Sequence, residues 1–204
     1  MAVVLDVSDL LVASWEIDEE DARKLTSGLE PARVEGRFLV SIVGLGRVHA
    51  RAGHIPLPAF SQINLRTYAL LDGQVAVLFL HSWVTAWGIV VAFAGGPVGT
   101  ARIRSETGRL DAPGVGMHLR YSVGEPVDSG PLGRLELGLH RRGRLRAFTV
   151  RRGPAEWLAA EPTEVRADPL LSLGLDPTAR PGLLYAPKAT LRIDARPRPV
   201  GAAR

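Results

Sequence analysis

The chain has 204 residues, of which 46% are hydrophobic and 23% are charged, and its formal net charge is +4 at pH 7. This length suffices for one hydrophobic core, and no repeat, Ser/Gly tract or charge block divides it, so we predict a single domain over residues 1–204. The absence of cysteine excludes disulfides, thiolate nucleophiles and Cys-ligated metal ions.

The basic residues are nearly all arginine, and Lys24 and Lys188 are the only lysines. A small basic excess supports nonspecific association at most, so we expect no specific nucleic-acid partner. The N-terminus lacks a basic region and carries Asp6 and Asp9, unlike a signal peptide. The apolar stretch 83–94 is shorter than the roughly 20 residues that cross a bilayer. We therefore expect a cytoplasmic location and no membrane partner.

The first regular element that the pattern predicts is a short helix. Asp18 precedes EEDARKLTS and Gly28 follows it, which gives an N-cap, an acidic first turn and a C-terminal glycine. Residues 29–43 then alternate loosely and end in FLVSIV, which predicts a buried strand. Residues 44–58 are predicted to form a loop.

The next stretch, QINLRTYALLDGQVAVLFLH, predicts a β-hairpin that turns at Asp72-Gly73. Side chains alternate across a strand, so the first arm presents a polar face and an opposite, mainly apolar face. The polar face consists of Gln62, Asn64, Arg66 and Tyr68, and the opposite face of Ile63, Leu65, Thr67 and Ala69.

Downstream, Ser82 is placed to cap a buried helix over residues 83–94 that ends at Gly95-Gly96. Strand-like runs follow at residues 100–105, 117–123, 145–151 and 184–193. Residues 132–140 fit a strand or a helix. These elements predict an α+β, mainly β fold, built as a barrel-like antiparallel sheet with about two short helices.

The segment FSQINLRTYALLDG resembles the uncharacterised branch of the acetoacetate-decarboxylase-like superfamily, which reads Phe-x-Glu-x-Asn-x-Arg-Thr-Tyr-Val here. The matching positions are Phe60, Asn64, Arg66, Thr67 and Tyr68. The order of further segments extends the resemblance to about residues 13–195, and we predict a flexible tail over 196–204. The resemblance implies a barrel-like antiparallel sheet around a central pocket.

The chain departs from the decarboxylases at their catalytic amines. In those enzymes a Gly-x-Pro-Lys-Lys segment supplies the Schiff-base lysine, whose pKa a neighbouring cation lowers. The corresponding stretch here is GGPVGT, so Val98 and Gly99 occupy the amine positions, and Gln62 stands where a pocket carboxylate is expected. The resemblance thus implies a pocket without imine chemistry, and we expect no cofactor.

Arg66 is the leading candidate for a ligand contact, because its planar fork binds carboxylate or phosphate; Gln62, Asn64 and Tyr68 share its face. The alternative is a solvated sheet face, or an Arg66 that only holds neighbouring groups. Two further pairs could complete an anion site, although such pairs more often form the outer face of an antiparallel sheet. These pairs are Arg102 with Arg104, and His118 with Arg120.

The five histidines show no metal-binding spacing, and His81 lacks an acidic neighbour in sequence that would orient it as a base. The arginine run over 141–152 is predicted to be a hairpin with solvated arms. Our leading hypothesis is a protein that binds a small anionic metabolite, and a homo-oligomer is possible. The alternative is a lyase or hydrolase without a Schiff base, in which Arg66 holds the substrate and His81 or His118 transfers protons.

Overall fold

The structure is a computed structural model that describes residues 2–85, 97–142, 144–194 and 198–200. Over these residues the chain is mainly β, which confirms the predicted fold class. The strands are β1 (Ala2–Ile17), β2 (Phe38–Ala52), β3 (Ile55–Pro56), β4 (Phe60–Leu71), β5 (Gln74–Val84), β6 (Val98–Thr100), β7 (Arg104–Glu106), β8 (Arg109–Ala112), β9 (Met117–Pro126), β10 (Leu137–Arg142), β11 (Arg144–Arg152), β12 (Leu158–Ala167), β13 (Gly182–Asp194) and β14 (Arg198–Pro199). The helices are α1 (Glu19–Thr26) and α2 (Asp168–Leu171).

A ring of strands forms the centre of the molecule. Its order is β11, β10, β5, β4, β2, β1 and β13, and a pairing between β11 and β13 closes it. All neighbours in the ring are antiparallel except β5 and β10, which run parallel. Because side chains alternate along each strand, one face of every strand points into the ring. The ring therefore encloses an interior.

A second layer packs against the outside of the ring. From β13 the sheet continues through β12, β9, β8 and β7. Leu110 and Leu119 of this layer share a buried cluster with Leu11, Ile42 and Ile63 of the ring. Strands β1, β2 and β4 are thus buried on both faces along part of their length.

Helix α1 begins at the predicted residue and ends one residue earlier than predicted, at Thr26. The carboxylate of Asp18 accepts a hydrogen bond from the backbone N–H of Asp21 at 2.8 Å. Ser27 adopts the left-handed conformation at φ 50°, and Gly28 follows at φ 91°. Among the described residues, no helix has the length and apolar character that a membrane span requires.

The hairpin of β4 and β5 is confirmed. Its turn residues Asp72 and Gly73 have φ of 51° and 77°, as a two-residue turn with both central residues at positive φ requires. The pairing shifts once, because Leu80 of β5 is an extra residue between two successive pairs. Those pairs are Leu65 with His81 and Arg66 with Phe79.

The loop predicted over residues 44–58 is wrong, because β2 continues to Ala52 and β3 follows it. A glycine in this segment allows β1 and β2 to approach each other closely. A Cβ on Gly46 would lie 2.6 Å from the carbonyl oxygen of Ser8 and 2.8 Å from Cβ of Asp9. Asp9 of β1 lies opposite Gly46 and has φ of 58°, and the residues on either side of it pair without a change of register. The glycine is therefore needed within the strand at this crossing.

The helix predicted to begin at Ser82 is also wrong at its start, because residues 82–84 belong to β5. The Ser82 hydroxyl bonds a side chain of β4 and caps no helix. The remainder of that predicted helix, with Gly95-Gly96, lies outside the described residues. Residues 100–105 do not form one strand but contribute to β6 and β7. Within residues 132–140 a 3₁₀ turn ends at Gly133, and β10 starts at Leu137.

Candidate functional site

The interior of the ring contains a cavity of about 80 Å³. Roughly 10–15 Å³ of such volume holds one water molecule, so the cavity has room for several waters or a small organic molecule. Its apolar lining residues are Leu5, Leu10, Val12, Val43, Leu45, Phe60, Val77, Phe79, Leu135, Leu137, Gly138, Phe148, Val150, Leu191 and Ile193. Its polar lining residues are Gln62, Asn64, Arg66 and Arg152. Three of these four lie on β4.

Arg66 enters the cavity from β4 and is only 4% exposed. Its Nε and Nη2 atoms are buried and have no hydrogen-bond partner among the described residues. These two atoms form one edge of the guanidinium, which can donate two parallel hydrogen bonds to a single carboxylate or phosphate. The unpaired Nε/Nη2 edge of Arg66 can bind an oxyanion, and no acidic side chain is among the described residues that line the cavity.

Tyr68 lies beside Arg66 and contributes to its surroundings rather than to the cavity wall. The Arg66 Cζ atom lies 5.8 Å from the centroid of the Tyr68 ring, within the range of a cation–π contact. The Tyr68 hydroxyl hydrogen-bonds the Ser41 hydroxyl at 2.8 Å, and Ser41 bonds Ser14 at 2.8 Å. This chain of hydroxyls crosses from β4 through β2 to β1 and fixes the aromatic ring.

Gln62 and Asn64 form an amide pair further along β4. The Gln62 amide donates to the Asn64 Oδ1 atom at 2.6 Å, and the Ser82 hydroxyl donates to the same oxygen at 2.8 Å. Two donors thus occupy the Oδ1 acceptor of Asn64, and both amide side chains line the cavity.

Arg152 is a polar group of the cavity that the sequence pattern did not single out. It ends β11, on the same face as Phe148 and Val150, so the prediction of a fully solvated arm is wrong at this residue. Its Nη1 atom donates to the Leu132 carbonyl at 3.0 Å, whereas its buried Nε has no partner among the described residues. Burial and then the charge of Arg66 lower the pKa of Arg152 to about 10.

The cavity contains two cationic side chains and no acidic one among the described residues that line it. Buried charges in proteins are normally paired or hydrogen-bonded, because an unpaired charge loses its hydration without compensation. The electrostatic character of the interior is therefore strongly positive between apolar walls. Such a cavity favours an anion of small size.

Arg102 and His118 do not join Arg66, contrary to the arrangement that the sequence suggested. They line an open cleft of about 550 Å³ on the second layer, which shares no lining residue with the barrel cavity. The physical reason is that His118 lies on β9 and Arg102 lies two residues before β7, and both strands belong to the second layer outside the ring. Arg104 lines the same outer cleft.

His118 is held between two carboxylates in that cleft. Its Nδ1 atom lies 2.5 Å from Asp111 Oδ1, and its Nε2 atom lies 3.1 Å from Glu164 Oε2. Asp111 is buried and also forms an ion pair with Arg109. Asp111 therefore orients the imidazole. The lining of the open outer cleft contains four arginines and two acidic side chains, Asp111 and Glu164.

His81 pairs with Leu65, whose side chain belongs to the buried cluster between the ring and the second layer. His81 therefore lies on the outer face of β5. Its ring centroid is 4.3 Å from that of Trp83, and burial lowers the pKa of His81. His81 does not line the barrel cavity. Within the described residues, no group of three or more His, Asp or Glu side chains could hold a metal ion.

Neither lysine reaches the barrel interior. Lys24 is exposed on α1, where it pairs with Glu20 and Asp21, and Lys188 is exposed on β13. Val98 and Gly99 lie on β6, beside Ser82 and Trp83 of β5.

These features identify the fold of the protein, which is that of the acetoacetate-decarboxylase-like enzymes. An acetoacetate decarboxylase-like enzyme from Sphingomonas wittichii RW1 matches with a TM-score of 0.71 and 14% identity, covering 99% of this chain and 94% of that one. The enduracididine biosynthesis enzyme MppR complexed with pyruvate matches with a TM-score of 0.67 and 14% identity, covering 98% and 90%. Acetoacetate decarboxylase from Legionella pneumophila subsp. pneumophila str. Philadelphia 1 matches with a TM-score of 0.67 and 9% identity, covering 98% and 88%.

The chain belongs to the DUF2071 family, described as "Uncharacterized conserved protein (COG2071)", whose model matches residues 5–190. Curated proteins offer no significant match. The resemblance expected from the sequence is therefore confirmed at the level of fold and family. At the low identities of the solved structures, the likeness shows the fold alone.

Proposed function

We propose that the protein binds a small anionic metabolite inside its barrel, with Arg66 as the principal contact. The observation that carries the proposal is that Arg66 lines the cavity while its Nε and Nη2 atoms are buried and have no partner among the described residues. A guanidinium in that position gains its missing hydrogen bonds when a carboxylate or phosphate enters. The proposed ligand therefore completes the site.

Gln62 and Asn64 are proposed to contact the body of the ligand, and Tyr68 is proposed to hold Arg66 in place. Arg102 and His118 belong to the separate outer cleft, so we do not assign them to this ligand. The fold supports the choice of ligand class, because MppR, which matches it, is complexed with the carboxylate pyruvate.

We further propose that binding does not proceed through a Schiff base. A Schiff base requires a neutral amine at the reacting carbonyl, and both lysines of the sequence lie on the surface. The histidines that the lyase or hydrolase alternative requires, His81 and His118, do not line the cavity of Arg66. Binding is therefore better supported than that alternative. The cytoplasmic location, the lack of a specific nucleic-acid partner and a possible homo-oligomer remain part of the proposal.

Thermal unfolding in the presence of matched ligands tests the proposal. The probes are butyrate, succinate and glutarate, each compared with its uncharged amide at constant ionic strength. We expect the carboxylates to raise the Tm of the wild type, since a ligand that binds the folded state stabilises it, and the amides to leave it unchanged.

Two variants locate the effect. Arg66→Gln should abolish the Tm increase, whereas Arg151→Gln should retain it, because Arg151 is exposed on β11 and loses the same charge. Equal responses of the two variants, or no response of the wild type to any of the carboxylates, would contradict the proposal.

A further inference from the structure

The barrel cavity contains one positive charge more than a single carboxylate can neutralise. Arg66 and Arg152 both line it, and the described lining residues include no aspartate or glutamate. The charge of Arg66 acts on Arg152, which places the two guanidinium groups within electrostatic reach of each other. A ligand in the cavity would therefore interact with two cationic side chains.

The unpaired hydrogen-bond donors of the two arginines also indicate that both side chains can interact with a ligand. Arg66 presents Nε and Nη2, and Arg152 presents Nε, all buried and without a partner among the described residues. Arg152 is held in place by the bond from its Nη1 to the Leu132 carbonyl, so it cannot simply turn away from the cavity without losing that bond. Both arginines thus offer hydrogen bonds to groups inside the barrel.

A monoanion at Arg66 would leave the charge of Arg152 buried and uncompensated, which is unfavourable in an apolar surrounding. A dianion provides one negative charge for each guanidinium. Apolar side chains form most of the remaining wall, including Leu5, Phe60 and Phe148, and they suit a short hydrocarbon between or beside the charged groups.

We propose that Arg152 acts with Arg66 to select small dianions, of which short aliphatic dicarboxylates fit the apolar walls best. The inference rests on the proposed function and adds the charge of the ligand to it. A phosphate monoester carries the same two charges on oxygen atoms, and its binding is distinguished in the test. Arg152 is thus a specificity residue rather than a structural arm of a hairpin.

Isothermal titration calorimetry at pH 7.5 and constant ionic strength tests the selection with three probes. Glutarate is the dianion, monomethyl glutarate is its matched monoanion, and butyl phosphate is the phosphate source. We expect the wild type to bind glutarate at least about tenfold more tightly than its half-ester, the scale of one added charged hydrogen bond. Tighter binding of butyl phosphate than of glutarate would assign the dianion to a phosphate monoester and still support selection by charge.

Variants of Arg152 separate selection from binding itself. In Arg152→Gln the ratio of the two affinities should fall to about one, while the half-ester keeps its affinity within about threefold, because Arg66 remains. Arg152→Lys should keep a preference for the dianion, since it keeps the charge, and Arg151→Gln should keep the full wild-type ratio. A loss of preference in Arg152→Lys would contradict selection by charge.

The two proposals fail in different ways. Equal affinity of the wild type for glutarate and its half-ester, or an unchanged ratio in Arg152→Gln, would overturn the selection and leave anion binding intact. Absence of binding by all three probes would overturn both proposals.

Discussion

Arg66 and Arg152 share one cavity in the barrel, and burial together with the charge of Arg66 lowers the pKa of Arg152 to about 10. The lowered pKa means that the folded protein disfavours the charged form of Arg152 compared with the unfolded chain. Burial of this charge therefore carries an electrostatic cost, which the proposed anionic ligand would reduce.

The first prediction concerns stability without ligand. Arg152→Met removes a buried charge but also the bond to the Leu132 carbonyl, which contributes about 1 kcal/mol. Replacing a buried ion pair by apolar residues of similar size is often neutral or stabilising by about 1 to 4 kcal/mol, and an unpaired buried charge is less favourable than a paired one. We expect a net increase in the free energy of unfolding of up to about 3 kcal/mol at pH 7, measured by urea denaturation.

Arg151→Met is the matched control for this measurement. Its side chain is exposed one residue away on β11, so the change should stay within about 0.5 kcal/mol. If Arg152→Met lowers the free energy of unfolding by more than Arg151→Met does, Arg152 is a stabilising structural residue. The conclusion that its buried charge destabilises the fold would then be wrong.

The second prediction separates the charge of Arg66 from its shape. Arg66→Lys keeps the positive charge but loses the two-donor edge formed by Nε and Nη2. Carboxylate binding should weaken by about 1.5 to 3 kcal/mol, while the fold is retained. Calorimetric titration with glutarate measures the affinity, and circular dichroism checks the fold. An unchanged affinity would show that the fork does not contact the ligand.

The third prediction concerns covalent chemistry. Incubation with acetoacetate or pyruvate and then borohydride should give no reduced adduct by intact mass spectrometry, and acetoacetate should release no carbon dioxide. The reason is that Lys24 and Lys188 lie on the surface, away from the cavity. A substrate-dependent adduct that maps to either lysine would overturn the proposal of binding without a Schiff base.

The fourth prediction concerns a hydrogen-bonded link between the two layers. The Tyr185 hydroxyl of β13 donates to Asp9 Oδ1 at 2.6 Å and lies 2.9 Å from the Thr107 hydroxyl. Tyr185→Phe should lower the free energy of unfolding by about 1.5 to 3 kcal/mol at pH 7, because the lost bond involves a charged acceptor. Tyr121→Phe should cost less, since Tyr121 bonds a neutral backbone carbonyl at 3.3 Å.

The same link has a defined pH dependence. Burial and the bond to Asp9 raise the pKa of Tyr185 to about 12 in the folded state. The contribution of Tyr185 is therefore complete below about pH 10, its ordinary value, and is lost as pH rises toward 12. The stability difference between wild type and Tyr185→Phe should narrow across that interval. A stability difference between wild type and Tyr185→Phe that stays constant from pH 9 to 12 would contradict this role of the Tyr185 hydroxyl.

Sequence patterns identified the parts of the fold that local chemistry determines. The caps of α1 and the turn at Asp72-Gly73 depend on neighbouring residues alone, and both are present as expected. The alternation along β4 also placed Gln62, Asn64 and Arg66 on one face. The closure of the ring by β11 and β13 joins segments distant in sequence, and no local pattern encodes it.

Two errors of the sequence analysis have physical causes. The sequence predicts a loop at Gly46, whereas this residue lies within β2, where a side chain would clash with Ser8 and Asp9 of β1. Arg152 was grouped with its solvated neighbours, although alternation places it on the face of Phe148 and Val150 and its neighbour Arg151 on the other. That alternation was the available signal for a second cavity arginine.

A crystal structure of the protein with glutarate bound tests the central claim most directly. The account predicts a carboxylate inside the barrel, with oxygen atoms about 2.7 to 2.9 Å from Nε and Nη2 of Arg66, the usual length of a charge-assisted hydrogen bond. The second carboxylate should lie against Arg152. Glutarate bound in the outer cleft beside Arg102 and His118, with the barrel cavity containing none, would contradict the account.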